Sequence, residues 1–191
     1  MRPPSLPRAH LDGWRRVSET IERPFAAGPV SVEAHTVRYE RTGPRPRPFV
    51  FASRLHIRPK TAPNAALTRL VERQAKSGFR DRLAARDIDA VEHRSDRAIA
   101  IDDPDASQAT LSTFRGRRVT ADGAGESTDG DREAPVAVEA LLAVWVADGY
   151  LLAGGAYPLP DDAYPAGRDA SAARRDLLRI VRGVTARTPP E

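Results

Sequence analysis

The sequence predicts an α+β fold: one antiparallel sheet of about six to seven strands packed against two main amphipathic helices. Three observations carry this expectation. Residues 63–86 and 171–184 repeat apolar side chains at helical spacing. Seven shorter segments have the β-branched content or period-two alternation of strands. The connections within the strand pairs are short enough to make the partners antiparallel.

The chain begins with a proline-rich stretch, and residues 1–27 are expected to be irregular, with 13–21 lying against the domain through Trp14 and Val17. A single α+β domain is expected over 28–185. Residues 30–40 and Phe49–Arg58 read as two strands joined by the exposed loop RTGPRPRP, too rich in proline for a strand. In the second strand Phe49, Phe51, Leu55 and Ile57 point one way, while Val50, Ala52, Arg54, His56 and Arg58 point the other.

In the first helix Leu67, Val71, Ala75, Phe79 and Leu83 recur every fourth residue, and Leu70 widens the stripe. Thr61 precedes Pro63, a residue suited to a first helical turn. Gly78 inside the pattern predicts a kink or close packing. Residues 90–94 and 97–102 read as a hairpin around Ser95-Asp96, and 109–120 as a further strand. The stretch 121–135, rich in glycine and acid without an apolar anchor, reads as a flexible loop.

Residues 136–146 and 150–159 form the clearest hairpin, closed by Asp148-Gly149 as a type I′ turn. Both faces of its first strand are apolar, so that strand should be central. The two-residue turn puts Trp145 opposite Leu152 and Gly154 opposite Ala143. The Gly154-Gly155 pair predicts a bulge or a neighbouring backbone close by. The second helix carries Leu177, Leu178, Ile180 and Val181, and a disordered tail is expected over 186–191.

Composition excludes several kinds of chemistry. There is no cysteine, hence no disulfide, cysteine nucleophile, thiolate zinc site or iron–sulfur cluster. No apolar run reaches the ~18 residues of a membrane span. Of 30 basic residues only Lys60 and Lys76 are lysine, a bias that most economically reflects GC-rich coding. The net charge of +4 divides into +10 over residues 1–88 and −6 over 89–191. The arginines are mixed with acids and not gathered on a face with aromatic reading elements, which argues against nucleic acid as a partner.

Motifs for catalysis or metal are sparse. His10, His35, His56 and His93 form no metal-ligand spacing on one element. GAGEST at 123–128 lacks the lysine and framing strand of a phosphate loop. Asp129, Asp131 and Glu133 resemble half a calcium loop without its sixth-position glycine and closing glutamate. No cofactor and no metal are implied.

One arrangement does gather chemistry. If the strands on either side of the 41–48 loop pair so that their apolar faces match, Val32 meets Ile57 and Ala34 meets Leu55. The same register sets Glu33 opposite His56, His35 opposite Arg54, and Ser31 near Arg58. Glu33, His35, Arg54, His56 and Arg58 would then share a face able to hold an anion or shuttle a proton. The alternative is a solvated sheet face with ordinary cross-strand pairs. Glu139, a carboxylate in an otherwise apolar strand, is expected to reach the rim or pair with an arginine.

The segments GWRRVSETIERPFAAGPVSVEAHTVRYE (13–40), FVFASRLHI (49–57) and LLAVWVADGYLLAGGAYPL (141–159) resemble a family of unknown function from halophilic archaea. The resemblance implies proteins that are often exported or lipid-anchored through a lipobox cysteine, a feature this chain lacks. The strand–helix order is also similar to the PsbP-like fold, which implies a binding or assembly module; fold alone does not fix function.

The function expected is a non-enzymatic binding or accessory module. It would meet a protein partner or small anionic ligand through the sheet face or loop 41–48. Two alternatives remain: a hydrolase-like enzyme using Glu33, His35 and His56, or anion and nucleic-acid binding through Arg45, Arg47, Arg54 and Arg58. The expected location is cytoplasmic, or the cell surface if a signal segment is missing from the start.

Overall fold

The computed structural model describes residues 3–27, 30–42, 47–118 and 135–186. Its strands are β1 (Trp14–Ala27), β2 (Val30–Arg41), β3 (Phe49–Arg58), β4 (Ile88–Ile99), β5 (Ala109–Arg118), β6 (Val136–Ala147) and β7 (Gly149–Pro158). Helix α1 (Ala65–Ala84) follows β3, and α2 (Ala170–Arg182) follows β7. All seven strands form one antiparallel sheet in the order β1-β2-β3-β7-β6-β5-β4. The chain lays down β1 to β3, crosses to the far edge through α1, and returns strand by strand until β7 closes against β3. This is the α+β architecture expected.

The central strands are buried because their side chains are apolar on both faces. On one face Phe49, Phe51, Phe114, Leu142 and Leu152 form a core with Val71, Phe79 and Leu83 of α1. On the other, Val50, Ala52, Leu141, Trp145 and Leu151 form a core with Leu177, Ile180 and Val181 of α2. The division of β3 into a Phe49/Phe51 face and a Val50/Ala52 face follows the expected alternation.

Both helices start at capping side chains. Asn64 Oδ1 accepts from the Leu67 amide at 2.9 Å, so α1 begins after this cap and not at Pro63. Asp169 caps α2 in the same way, at 2.6 Å from the Ala172 amide. Gly78 departs from expectation: a Cβ there would meet nothing within 4 Å, so no close packing demands the glycine.

The edge strands correct the sequence reading. Residues 14–27 are β1, paired along β2, and not irregular chain. Residues 88–99 are one strand, β4, paired along β5, and not a hairpin around Ser95-Asp96. Both carry bulges, and the one between Glu22 and Phe25 in β1 admits Pro24, which cannot donate to a ladder. Ahead of β1 the chain is also tied down: Leu6 is buried, and Ser5 exchanges backbone hydrogen bonds of 3.0 Å with Thr185. Residues 187–191 of the expected tail, Arg45, and most of the 121–135 loop lie outside the described residues.

The β6–β7 hairpin is offset by one residue from expectation. Trp145 faces Leu151 and Leu142 faces Gly154, with Ala147 paired to Gly149. Gly149 sits at φ +90°, which suits a three-residue loop ending in a left-handed glycine in place of a two-residue type I′ turn. The closeness expected at Gly154-Gly155 is present. A Cβ on Gly154 would run into the Leu141 carbonyl oxygen, and one on Gly155 into that of Phe49.

Candidate functional site

The β2–β3 register is the one inferred from the apolar faces: Val32 opposite Ile57, Glu33 opposite His56, Ala34 opposite Leu55, His35 opposite Arg54 and Ser31 opposite Arg58. The five candidate residues therefore share the sheet face that carries α2. Three of them take partners from outside the group. His35 is buried, and its Nε2 lies 2.7 Å from Glu19 Oε1 on β1. Arg54 donates to the Asp148 carboxylate at 2.6 Å, and to the carbonyls of Asp148 and Ala186. Glu33 lies 3.8 Å from Arg23 Nε. His56 is half-buried and Arg58 exposed. The sequence reading saw the shared face but not these partners, because it had no strand for Glu19 or Arg23 and did not pair β3 with β7, which brings the Asp148 turn beside Arg54.

A large concavity lies on the opposite face. Because α1 packs chiefly over β4 and β6, the surface of β2 and β3 beside it stays open. The result is a groove of about 390 Å³, floored by Phe51, Leu55, Leu142 and Leu152 and walled by Leu67, Leu70 and Val71 of α1. Leu70 is one of two large apolar side chains left exposed among the described residues, and Gly78 lines the same wall.

Two smaller cavities continue along α1. One of about 200 Å³ shares Glu22, Phe51, Phe79 and Arg82 with the groove, and one of about 90 Å³ shares Phe49 and Arg86 with the second. Their walls are rich in arginine: Arg38, Arg82 and Arg86 in the second, and Arg47, Arg86 and Arg118 in the third. Arg82 of α1 and Arg86 just past its end lie over successive aromatic side chains on the same face of β3. The guanidinium centres are 5.5 Å from the Phe51 ring and 4.0 Å from the Phe49 ring. Arg82 bonds Glu22 at 3.1 Å and Arg86 bonds Glu40 at 3.0 Å. Burial is the main cause drawing the Arg86 pKa below its ordinary value. The bond to Glu40 opposes this, and the charges of Arg38 and Arg118 reinforce it.

Two polar clusters lie elsewhere in the fold, and the sequence reading anticipated only the second. In the first, Asp96 accepts from Lys76 Nζ at 2.8 and 3.0 Å and from Ser112 Oγ at 2.6 Å, with His93 Nε2 at 2.9 Å. Burial works against the Asp96 charge, but the bonds from Lys76, Ser112 and His93 outweigh it and hold the carboxyl well below the usual range. Folded Asp96 is thus more acidic than unfolded Asp96. Its stabilisation is present above about pH 4 and is lost as pH falls below that value. Asp96→Asn should flatten the acid limb of a denaturation-midpoint profile; an unchanged slope would contradict this assignment.

The second cluster surrounds Glu139, which is 3% exposed. It accepts from the Tyr157 hydroxyl and from Arg174 of α2 at 2.5 Å, with Arg115 Nε at 3.7 Å. The expected ion pair is present, made to a helix the sequence could not place beside this strand. Among the described residues no group of three or more histidine, aspartate or glutamate side chains could hold a metal ion. The calcium-like residues Asp129, Asp131 and Glu133 lie outside the described residues. No described helix is long and apolar enough to cross a membrane.

Fold and surface together define an α+β protein with a ligand-sized groove between one helix and the open part of its sheet. The chain belongs to the family described as Domain of unknown function (DUF6517), whose model matches residues 3–185. No curated protein and no solved structure matches it.

Proposed function

We propose that this protein is a non-enzymatic binding module whose ligand seat is the groove between α1 and the β2–β3 surface. The observation that carries the reading is the groove's size and lining. At about 390 Å³ it falls within the ~300–1,000 Å³ of small-molecule pockets, and its floor is aliphatic and aromatic with polar groups such as Gln74, Ser53 and Arg82 among its walls. The interaction surface is thus a sheet face, but the one opposite Glu33, His35, Arg54, His56 and Arg58. The separate pairings of His35 and Arg54 direct the reading away from the hydrolase alternative. The likeness to PsbP-like binding and assembly modules is in keeping with this proposal.

The test is titration with a neutral apolar fluorophore, N-phenyl-1-naphthylamine. Saturable enhancement is expected with the unaltered protein. A side chain added at Gly78 would enter open space beside the groove. Gly78→Phe should therefore weaken binding at least tenfold. Gly78→Ala should retain binding and gain up to ~1 kcal/mol from helix propensity. Absence of saturable binding, or equal binding by Gly78→Phe, overturns the proposal.

A further inference from the structure

The groove and its two smaller neighbours differ in charge as well as size. The 390 Å³ section is largely apolar, whereas the next two sections bring Arg38, Arg47, Arg82, Arg86 and Arg118 to their walls. Of these arginines, Arg82 is bonded to Glu22 and Arg86 to Glu40. Arg38 and Arg118 have no carboxylate partner among the described residues. The Nε atom of each is buried without a hydrogen-bond acceptor. Buried donors of this kind are destabilising unless an acceptor reaches them, and a guanidinium is shaped to take a carboxylate or phosphate on two parallel N–H groups. Phe51 and Phe49 underlie the neighbouring Arg82 and Arg86, which places positive charge at this end of α1.

The sections adjoin. Glu22 and Arg82 line both the apolar groove and the cavity beside it, and their side chains are 52% and 39% exposed. An exposed pair of this type is weak and can yield to a ligand lying across it.

Building on the groove as ligand seat, we propose that its occupant is a single-chain amphiphile with an anionic head. The aliphatic chain lies against Phe51, Ala75 and Phe79, and the head is held at Arg38, Arg86 and Arg118. Two independent features meet here: an apolar trough with room for a chain, and, at one end, cationic donors that lack acceptors. Neither a wholly apolar ligand nor a bare anion uses both.

The experiment compares dodecanoate, dodecyl phosphate, dodecanol and inorganic phosphate as competitors of the bound fluorophore, below their aggregation concentrations. Dodecanoate and dodecyl phosphate are expected to bind at least tenfold more tightly than dodecanol, and inorganic phosphate not to displace the fluorophore. In the double variant Arg38→Gln, Arg118→Gln that preference should vanish while dodecanol binding is unchanged. Folding should be intact, because neither arginine has a carboxylate partner to lose. Equal affinity for dodecanol and dodecanoate, or a preference surviving in the double variant, overturns the head-group assignment and leaves the groove reading standing. Displacement by inorganic phosphate as strong as by dodecyl phosphate also overturns it. Failure of every ligand, dodecanol included, overturns both.

Discussion

Truncating Phe79 to alanine should lower the free energy of unfolding by about 3–5 kcal/mol. Phe79 is 2% exposed and stands between Phe51 of β3 and Phe114 of β5. Its ring centroid lies 5.6 Å from the first, tilted at 41°, and 5.7 Å from the second, edge-on at 68°. Each such pair adds roughly 0.5–1.5 kcal/mol beyond area burial. The loss is not spread along the helix, because only Val71, Phe79 and Leu83 of α1 are fully buried. Phe79 also lines both the groove and the second cavity, so truncation merges them. Urea denaturation should show a lower midpoint with an unchanged slope. A shift worth less than about 1 kcal/mol would mean that α1 is held by something other than this aromatic stack.

Glu139→Ala is expected to cost about 2–4 kcal/mol, the largest effect of any polar substitution in the described structure. The carboxylate is the acceptor through which the Tyr157 hydroxyl and Arg174 are joined, and it ties α2 to the middle of the sheet. Removing it leaves the buried phenol without an acceptor. Arg174 and Arg115 are 37% and 56% exposed and can turn to water, which keeps the loss below that of a fully buried pair. Glu139→Gln retains an acceptor for Tyr157 and should lose about 1 kcal/mol. Burial first, then the hydrogen bond and charge of Glu139, push the Tyr157 hydroxyl well above its ordinary pKa. Stability from keeping this phenol protonated is therefore present below about pH 10 and lost as pH rises beyond it. Spectrophotometric titration should show Tyr157 ionising at lower pH in Glu139→Gln; an unmoved transition would detach the phenol from the carboxylate.

The legible parts of the fold are those where burial depends on the residue's own chemistry. In β6, Leu141 and Trp145 face α2 while Leu142 and Val144 face α1, and the run of apolar residues announces a strand covered on both sides. The β2–β3 register could be read because matching Val32 with Ile57 and Ala34 with Leu55 is the pairing that keeps their apolar side chains on one face. The two strands misread, β1 and β4, are the two edges of the sheet. Most of the described side chains of β1 and β4 are exposed, so their sequences carry no alternation. They are held by backbone hydrogen bonds that any residue but proline can make.

The candidate site divides along the same line. Which residues of β2 and β3 share a face was legible, but the partners of His35 and Arg54 come from β1 and the β6–β7 turn, distant in sequence. The groove had two local signs, Gly78 inside the helical pattern and Leu70 widening its apolar stripe. Its existence depends on α1 crossing to the far edge of the sheet and leaving β2 and β3 partly uncovered. The arginine-rich end had none, because Arg38 in β2, Arg86 just past α1 and Arg118 in β5 are far apart in the chain.

The amino-acid sequence by itself determined the α+β class, the two amphipathic helices, the central strands and the pairing of β2 with β3, because hydrophobic periodicity is a local property that burial reads directly. Only the tertiary structure decided where the edges of the sheet lie, which side chains neutralise one another, and where a groove stays open. These depend on backbone pairing and on the angle at which a helix crosses a sheet, and neither is encoded in the pattern of any single segment.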